Sequence, residues 1–176
     1  MESKRDGKQF VIVRKSGLSI NLILQAVAER TKEINMPAAT SAWSLNPQLQ
    51  KDTVDIGDLA LCKVLVIKDA NYPWLLLVPR RADANEIIDL DEVEQAQLMT
   101  EISRVGRALK DLTKCDKLNI AALGNMVPQL HVHVIARRTT DAAWPRPVWG
   151  VVGAIPHDAQ EVQTFISALR RKIWLG

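Results

Sequence analysis

The sequence predicts an α+β fold, in which helices pack against an antiparallel sheet. Apolar, β-rich runs occur in pairs that are joined by short turns, which is typical of hairpins. Between the second and third runs, a long segment repeats apolar residues every three or four positions, as an amphipathic helix does. A second segment of the same kind closes the chain. Strands, then a helix, then more strands favour an antiparallel sheet over a parallel one.

The first predicted hairpin lies in the first half of the chain. Its first strand falls between Asp58 and Asp69, where the apolar run LALCKVLVIK lies. Residues 70–73 follow as a turn, because Pro fixes φ and Asn tolerates tight backbone angles. The second strand covers residues 74–78 and ends before Pro79. Successive residues of both strands are apolar, so we expect both faces of this hairpin to be covered.

The clearest helix pattern covers residues 91–114. Asp91 followed by Glu94 resembles a capping box at the helix start. Lys110 and Lys114 suit the negative end of the helix. Apolar residues recur at spacings of three and four and form one stripe, which consists of Leu98, Ile102, Val105, Leu109 and Leu112.

Two further strands and a last helix complete the predicted fold. The third strand covers residues 117–123, a turn follows at residues 124–125, and the fourth strand covers residues 130–137. The last helix begins near Asp158, and we expect Glu161 to cap it. Its core face consists of apolar residues at helical spacing, namely Val162, Phe165, Ile166, Leu169 and Ile173.

Composition limits the classes of protein to which the chain can belong. Of 176 residues, 47% are hydrophobic and 24% are charged, as in a globular domain with an apolar core. The net charge of +3 is small, so no nucleic-acid partner is expected. Cys62 and Cys115 stand far apart, which argues against a zinc ribbon and a disulfide scaffold. No apolar run reaches about 18 residues, so we expect a cytoplasmic protein without a membrane partner.

The first part of the chain differs from the rest. Residues 1–42 precede every predicted strand and helix, apart from one weak amphipathic pattern of their own. Residues 36–41 resemble a linker. We therefore expect residues 1–42 to be an appendage or an artefact of the start site, and residues 43–176 to form the domain.

The stretch that carries chemistry is QLHVHVIAR, residues 129–137. Side chains alternate across a strand, so Gln129, His131, His133 and Arg137 share one face and the apolar residues share the other. Two histidines two residues apart lie roughly 7 Å apart along a strand. This spacing suits two groups that hold one phosphate, and it also suits two ligands of one metal. We expect Arg137 to be a solvated strand end, as for other short basic pairs.

A metal site would need a third ligand, and the chain has three histidines in all. A zinc enzyme would combine His131 and His133 with His157. His157 lies in a Pro-containing loop before the last helix, where no strand fixes it. We therefore expect no metal and no cofactor, and a zinc enzyme stays as an alternative.

The order of motifs along the chain resembles the histidine triad (HIT) family. The family pattern is His-φ-His-φ-His-φ-φ, where φ is an apolar residue. Residues 129–135 match this pattern with Gln129 in place of the first histidine. Three further segments are similar to family motifs in the same order: the first hairpin at 67–81, the Gly-Gln-Ser-Val approach to the triad at 124–127, and the Trp-Pro-Pro tail at 144–147. The resemblance covers about residues 44–150.

The resemblance implies a homodimer of α+β subunits, each with an antiparallel sheet of about five strands. It also implies that the protein binds a nucleotide or a nucleotidyl conjugate as substrate. In the family, an apolar residue lines the base pocket, an acidic residue holds the ribose hydroxyls, and a Gln binds phosphate. By resemblance, these roles fall on Ile67, Asp69 and Asn125.

The catalytic positions of the family fall on His131, His133 and Gln129. The resemblance makes His131 the nucleophile and His133 the contact to the phosphate, while Gln129 replaces a histidine that orients the nucleophile. Imidazole is partly neutral near pH 7, so His131 can attack phosphorus without a separate base. Gln129 cannot carry a proton, and Met126 and Trp74 replace a serine and a histidine that many members have. We expect a nucleotidyl hydrolase or transferase with a covalent nucleotidyl-His131 intermediate; the alternative is a nucleotide-binding protein without turnover.

Overall fold

The computed structural model describes residues 42–175, so the expectations about residues 1–41 lie outside this part of the chain. The described chain forms a five-stranded antiparallel sheet with three α-helices, which confirms the predicted α+β class. In chain order, the elements are α1 (Pro47–Asp52), β1 (Thr53–Asp58), β2 (Cys62–Ile67), β3 (Trp74–Pro79), a 3₁₀ turn (Ile87–Asp89), α2 (Glu92–Thr113), β4 (Lys117–Ala122), β5 (Val132–Arg137) and α3 (Ala159–Trp174).

The strands lie in the order β1-β2-β3-β5-β4, and all neighbours are antiparallel. The register aligns Leu65 with Leu76 and Leu76 with His133 across three adjacent strands. On its other side, His133 pairs with Ala121 of β4. Strand β5, which contains His133, therefore lies inside the sheet, between β3 and β4.

The elements α1 and β1 were not predicted from the sequence. The six residues of β1 include two aspartates and Gly57, which has a φ of +149° at an irregularity in the register with β2. This composition conceals the strand pattern. Asn46 caps α1 by accepting a hydrogen bond from the Gln48 amide, but the helix has only six residues. The predicted first strand began too early, because residues 59–61 connect β1 to β2.

Each face of the sheet has its own apolar cluster. Helices α2 and α3 cover one face, where the predicted stripes of both helices lie; Leu112 and Phe165 are only partly buried there. The second face is covered by α1 and by residues around 43–45 and 143–151. The buried members of this second cluster are Leu49, Leu65, Tyr72, Trp74, Leu76, Val78, Val127, Ile135, Ala143 and Val148. Within residues 42–175, no helix is long and apolar enough to cross a membrane.

Both long helices begin with side-chain caps. Asp91 and Glu94 form the predicted capping box, since each side chain accepts a hydrogen bond from the other's backbone N–H. At α3, the cap is Asp158 and not Glu161. The Asp158 carboxylate accepts hydrogen bonds from the backbone amides of Gln160 and Glu161.

Arg137 is not a solvated strand end, as the sequence led us to expect, but a buried cation that is 1% exposed. Its Nε donates to Asp141 at 2.8 Å and its Nη1 donates to Asn119 at 2.7 Å. Its Nη2 donates to the carbonyl of Arg146 at 3.1 Å. The ion pair and the hydrogen bonds compensate for the loss of solvation that burial of the guanidinium causes. Arg137 thereby fixes the first part of the loop between β5 and α3.

Glu101 joins α2 to the turn between β1 and β2. It is 2% exposed, and its carboxylate accepts hydrogen bonds from the backbone amides of Leu61 and Cys62, each at 2.8 Å. Gln97 donates a third hydrogen bond at 2.8 Å. We expect Glu101→Ala to lower the free energy of unfolding by about 3 kcal/mol, because two buried N–H groups lose their acceptor.

Urea unfolding monitored by circular dichroism would measure this loss. The matched control is Glu92→Ala on the same helix, where the side chain is exposed and a change within about 0.5 kcal/mol is expected. Equal effects of the two substitutions would contradict the role assigned to Glu101.

Candidate active site

The two histidines of the HxH motif lie side by side on the second face of the sheet. Their ring centroids are 4.9 Å apart and the ring planes are inclined at 73°. Each side chain is 7% exposed. The rings approach more closely than the spacing along a strand suggests. His131 stands one residue before β5 begins, so only His133 lies inside the strand.

His131 has a defined tautomer. Its Nδ1 lies 2.7 Å from the backbone carbonyl oxygen of Gln129. A carbonyl can only accept a hydrogen bond, so Nδ1 carries the proton. In the neutral ring, Nε2 then holds the free lone pair. The Gln129 carbonyl therefore orients the His131 ring and leaves Nε2 free to accept a proton or to attack an electrophile.

His133 has the opposite tautomer. The indole Nε1 of Trp74 donates a hydrogen bond to His133 Nδ1 at 2.9 Å. An indole can only donate, so Nδ1 must accept, and the proton of the neutral ring lies on Nε2. Burial, and to a lesser extent the neighbouring His131, together lower the pKa of His133 to about 4. His133 is therefore a neutral N–H donor at physiological pH.

Gln129 orients His131 through its backbone, while its side chain contacts a different segment. The side-chain oxygen accepts a hydrogen bond from the Asn46 amide at 2.9 Å, and the side-chain nitrogen donates to the Ser44 carbonyl at 3.0 Å. These bonds fix the segment before α1 against the approach to β5. Gln129 also lines a cavity of about 330 Å³ at this place, together with Trp43, Arg81 and other residues.

Trp149 covers His133 from the loop between β5 and α3. Its ring centroid is 5.2 Å from that of His133 and 5.5 Å from that of Trp74, with both pairs nearly perpendicular. Trp149 itself is 36% exposed. The next residue, Gly150, has a φ of +72° that favours glycine. The outer wall of the site is therefore an aromatic side chain on a surface loop.

The predicted nucleotide-binding residues lie in three different places. Ile67 is half-buried and packs with the cluster on the same face as His133, two strands away. Asp69 is buried, and its Oδ1 accepts hydrogen bonds from the Asn71 amide, the Asn71 side chain and the Ile155 amide. Asn125 is exposed in the turn after β4. The structure brings together His131 and His133, while Asp69 binds the last part of the loop between β5 and α3.

His157 has a contact of its own outside the HxH pair. Its Nε2 lies 3.1 Å from the backbone carbonyl oxygen of Ile67. In the part of the chain that the structure describes, no group of three or more His, Cys, Asp or Glu side chains is placed to hold a metal ion.

The model of the HIT domain family matches residues 48–140 of the chain. The chain belongs to the histidine triad family. Nucleotide binding, with hydrolysis or transfer of nucleotidyl groups, is typical of HIT proteins. Among curated protein sequences, none matches this HIT protein.

Solved structures of other HIT proteins agree with this assignment. The histidine triad protein blr8122 from Bradyrhizobium japonicum is 81% identical, with a TM-score of 0.75, over 76% of this chain and 100% of its own. A HIT protein (SMc02904) from Sinorhizobium meliloti 1021 is 43% identical, with a TM-score of 0.73, over 76% of this chain and 99% of its own. A histidine triad protein from Marinobacter aquaeolei VT8 is 38% identical, with a TM-score of 0.74, over 76% of this chain and 97% of its own.

Two aromatic residues of the site were not assigned a role from the sequence. The resemblance marks Trp74 only as a replacement for a histidine, because its hydrogen bond to His133 joins residues 59 positions apart. The strand alternation carries a signal for it: Leu76 pairs with His133, so Trp74, two residues earlier, lies on the same face. Trp149 belongs to a loop, where no such periodicity exists.

The depressed pKa of His133 makes stability depend on pH. Its ordinary pKa is 6.5, and the folded protein lowers it to about 4. As pH falls through this window, the unfolded chain binds a proton that the folded chain does not. The free energy of unfolding should therefore fall with decreasing pH, by up to about 3 kcal/mol at about 1.4 kcal/mol per pKa unit.

The measurement is urea unfolding of the wild type and of His133→Asn at pH 7.5 and pH 5. Asn keeps an acceptor for Trp74 but does not titrate. We expect the wild type to lose about 2 kcal/mol more than the variant over this change of pH. Equal losses would show that His133 is not buried as a neutral ring.

Proposed function

We propose that this HIT protein binds a nucleotide and hydrolyses or transfers its nucleotidyl group through a covalent nucleotidyl-His131 intermediate. The observation that carries the proposal is the pair of opposite tautomers. His131 presents a lone pair at Nε2, and His133 presents an N–H at Nε2. A nucleophile beside a hydrogen-bond donor is the arrangement that attack at a phosphoryl group requires.

The proposed reaction has two displacements at the same phosphorus. The His131 Nε2 lone pair attacks, an N–P bond forms, and the bond from phosphorus to the leaving group breaks. The proton on His131 Nδ1 stays hydrogen-bonded to the Gln129 carbonyl, which stabilises the imidazolium that forms. Water or another acceptor then attacks phosphorus, the N–P bond breaks, and its electron pair returns to Nε2. His133 donates to the phosphoryl oxygens in both steps.

The nucleoside is proposed to extend from the histidines across β3 toward β2. Ile67 lies on the same face two strands from His133, which is about 10 Å at the usual spacing between strands. We propose Ile67 as part of the base pocket and Asp69 as a contact to the ribose. Asn125, at the turn before the HxH motif, is proposed as a second donor to the phosphate.

A nucleotide-binding protein without turnover is the alternative function, and one observation favours it. Trp149 packs against His133 on the outer side of the site. Access to phosphorus then depends on displacement of this side chain. Nucleotide binding without any product or adduct would support this alternative.

The test of the proposed nucleophile is His131→Ala. We expect turnover of nucleotidyl substrates to fall by several orders of magnitude, because His131 supplies the attacking lone pair. Nucleotide affinity should change little, since Ile67 and Asp69 are intact. Intact-protein mass spectrometry should detect a nucleotidyl adduct on the wild type and none on the variant.

The matched control is His157→Ala, which removes the histidine outside the HxH pair. Turnover should stay near that of the wild type. Near-normal turnover by His131→Ala would exclude it as the nucleophile. Loss of activity in both variants, together with bound zinc in the wild type, would favour the metal alternative.

We further propose that the protein is a homodimer. Within residues 42–175, β4 is an edge strand of the sheet, and no other described strand pairs with its outer side. Ile120 on β4 is 51% exposed, and Leu123 just after it is 46% exposed. An apolar edge strand of this kind is suited to pairing with a second copy.

Light scattering at micromolar concentration should give twice the 19.6 kDa mass of one chain. Ile120→Lys should shift the mass to that of the monomer, because it buries a charge at the proposed contact. Ile88→Lys is the control, since Ile88 is 84% exposed in the 3₁₀ turn and away from the edge. A monomeric wild type would contradict the proposal.

A further inference from the structure

The choice of substrate depends on whether a side chain of the site can donate a proton to the leaving group. In the proposed reaction, a leaving amine must gain a proton as its bond to phosphorus breaks, because an amide ion is too basic to depart. A leaving phosphate or carboxylate departs as an anion and needs no proton. General acids that meet the first need are side chains whose pKa lies near the working pH. The state of His133 therefore bears on which substrates can react.

Trp74 prevents His133 from acting as a general acid. To give up the Nε2 proton and remain neutral, the ring must gain a proton at Nδ1 at the same time. The indole N–H of Trp74 points at Nδ1 from 2.9 Å and has no lone pair to offer. A proton on Nδ1 would face this N–H directly. Trp74 is also 8% exposed, so water does not readily replace it.

The other groups next to the two histidines cannot act as the general acid in place of His133. The rings packed against His133 are those of Trp74, Trp149 and His131. The two indoles do not titrate, and the lone pair of His131 is used in the attack. The Gln129 side chain is bonded to Ser44 and Asn46, and an amide does not titrate either. Among the neighbours named here, all within residues 42–175, none is placed to protonate a leaving atom.

We propose that the substrates are nucleotidyl anhydrides, whose leaving group departs as an anion, and that Trp74 is the positioning residue that imposes this choice. The proposal rests on the proposed function and narrows it. In the first step, the His131 Nε2–P bond forms as the bridging P–O bond breaks, and the electron pair leaves on the oxygen of the departing phosphate or carboxylate. In the second step, water attacks, the N–P bond breaks, and the released proton goes to solvent.

The first experiment measures kcat/KM for aryl esters of AMP whose phenols span pKa values from about 5 to 10. Without a general acid, kcat/KM should fall by roughly tenfold for each unit of phenol pKa. Diadenosine diphosphate, with AMP as leaving group, should react at least about 100-fold faster than adenosine 5′-phosphoramidate, which must release ammonia. A flat dependence on phenol pKa, or equal rates for the last two compounds, would overturn the proposal.

The second experiment changes the positioning residue. Trp74→His places a titratable ring beside Nδ1. The dependence of kcat/KM on phenol pKa should then become shallower, and kcat/KM for the phosphoramidate should rise relative to that for the anhydride. Trp74→Phe keeps an apolar ring and removes the hydrogen bond. Trp174→Phe is the matched control: its indole donates to the Asp58 carbonyl at the far edge of the sheet, and the slope should match that of the wild type.

A third measurement does not depend on activity. ¹⁵N NMR of the histidine rings should show His133 Nδ1 unprotonated from pH 8 to pH 5 in the wild type, and protonated near pH 5 in Trp74→Phe. A proton on Nδ1 in the wild type near neutral pH would overturn the inference even if the variants fold poorly. Turnover whose kcat/KM does not depend on phenol pKa would refute the inference but leave the proposed function intact. The absence of turnover and adduct with every compound would refute the proposed function and the inference with it.

Discussion

The burial of β5, and of His131 directly before it, determines the state of the polar side chains His131, His133 and Arg137. All six of its residues are buried, and a buried polar group must have a hydrogen-bond partner. Each hydrogen-bond partner here can either donate or accept, but it cannot do both. A carbonyl accepts from His131, an indole donates to His133, and a carboxylate and an amide oxygen accept from Arg137. Because no partner can reverse its role, the two imidazoles are held in opposite tautomers before any ligand binds.

The same constraint organises the loop between β5 and α3. Arg137 binds its first part through Asp141 and the Arg146 carbonyl. Asp69 binds its last part through the Ile155 amide. Residues 148–152 lie between these anchors and include Trp149, the outer wall of the site. The fold thus fixes both ends of the loop firmly and leaves the segment that covers His133 with few polar contacts, among them a 3.4 Å hydrogen bond from Val151 to Val148.

Much of the fold followed from local patterns, because apolar periodicity and capping residues act over a few positions. The β2–β3 hairpin, the stripe of α2 and the Asp91 capping box are of this kind. The sequence also predicted the pairing of the two histidines, since strand alternation is local. The structure added what depends on distant partners. Burial of Arg137 requires Asn119 on another strand, the Trp74 bond to His133 requires the register of β3 on β5, and the anchored Gln129 side chain requires residues before α1. No window of sequence contains these pairs.

The position of Trp149 gives the protein an optical property. Its indole lies within van der Waals range of one imidazole and one other indole, with about a third of its surface in water. A molecule that displaced Trp149 from the His133 ring would change the surroundings of this indole. Indole emission is sensitive to polarity and to quenching by neighbouring rings. Trp149 therefore places an indole fluorophore at the outer wall of the candidate site, where a change in its contacts would change its emission.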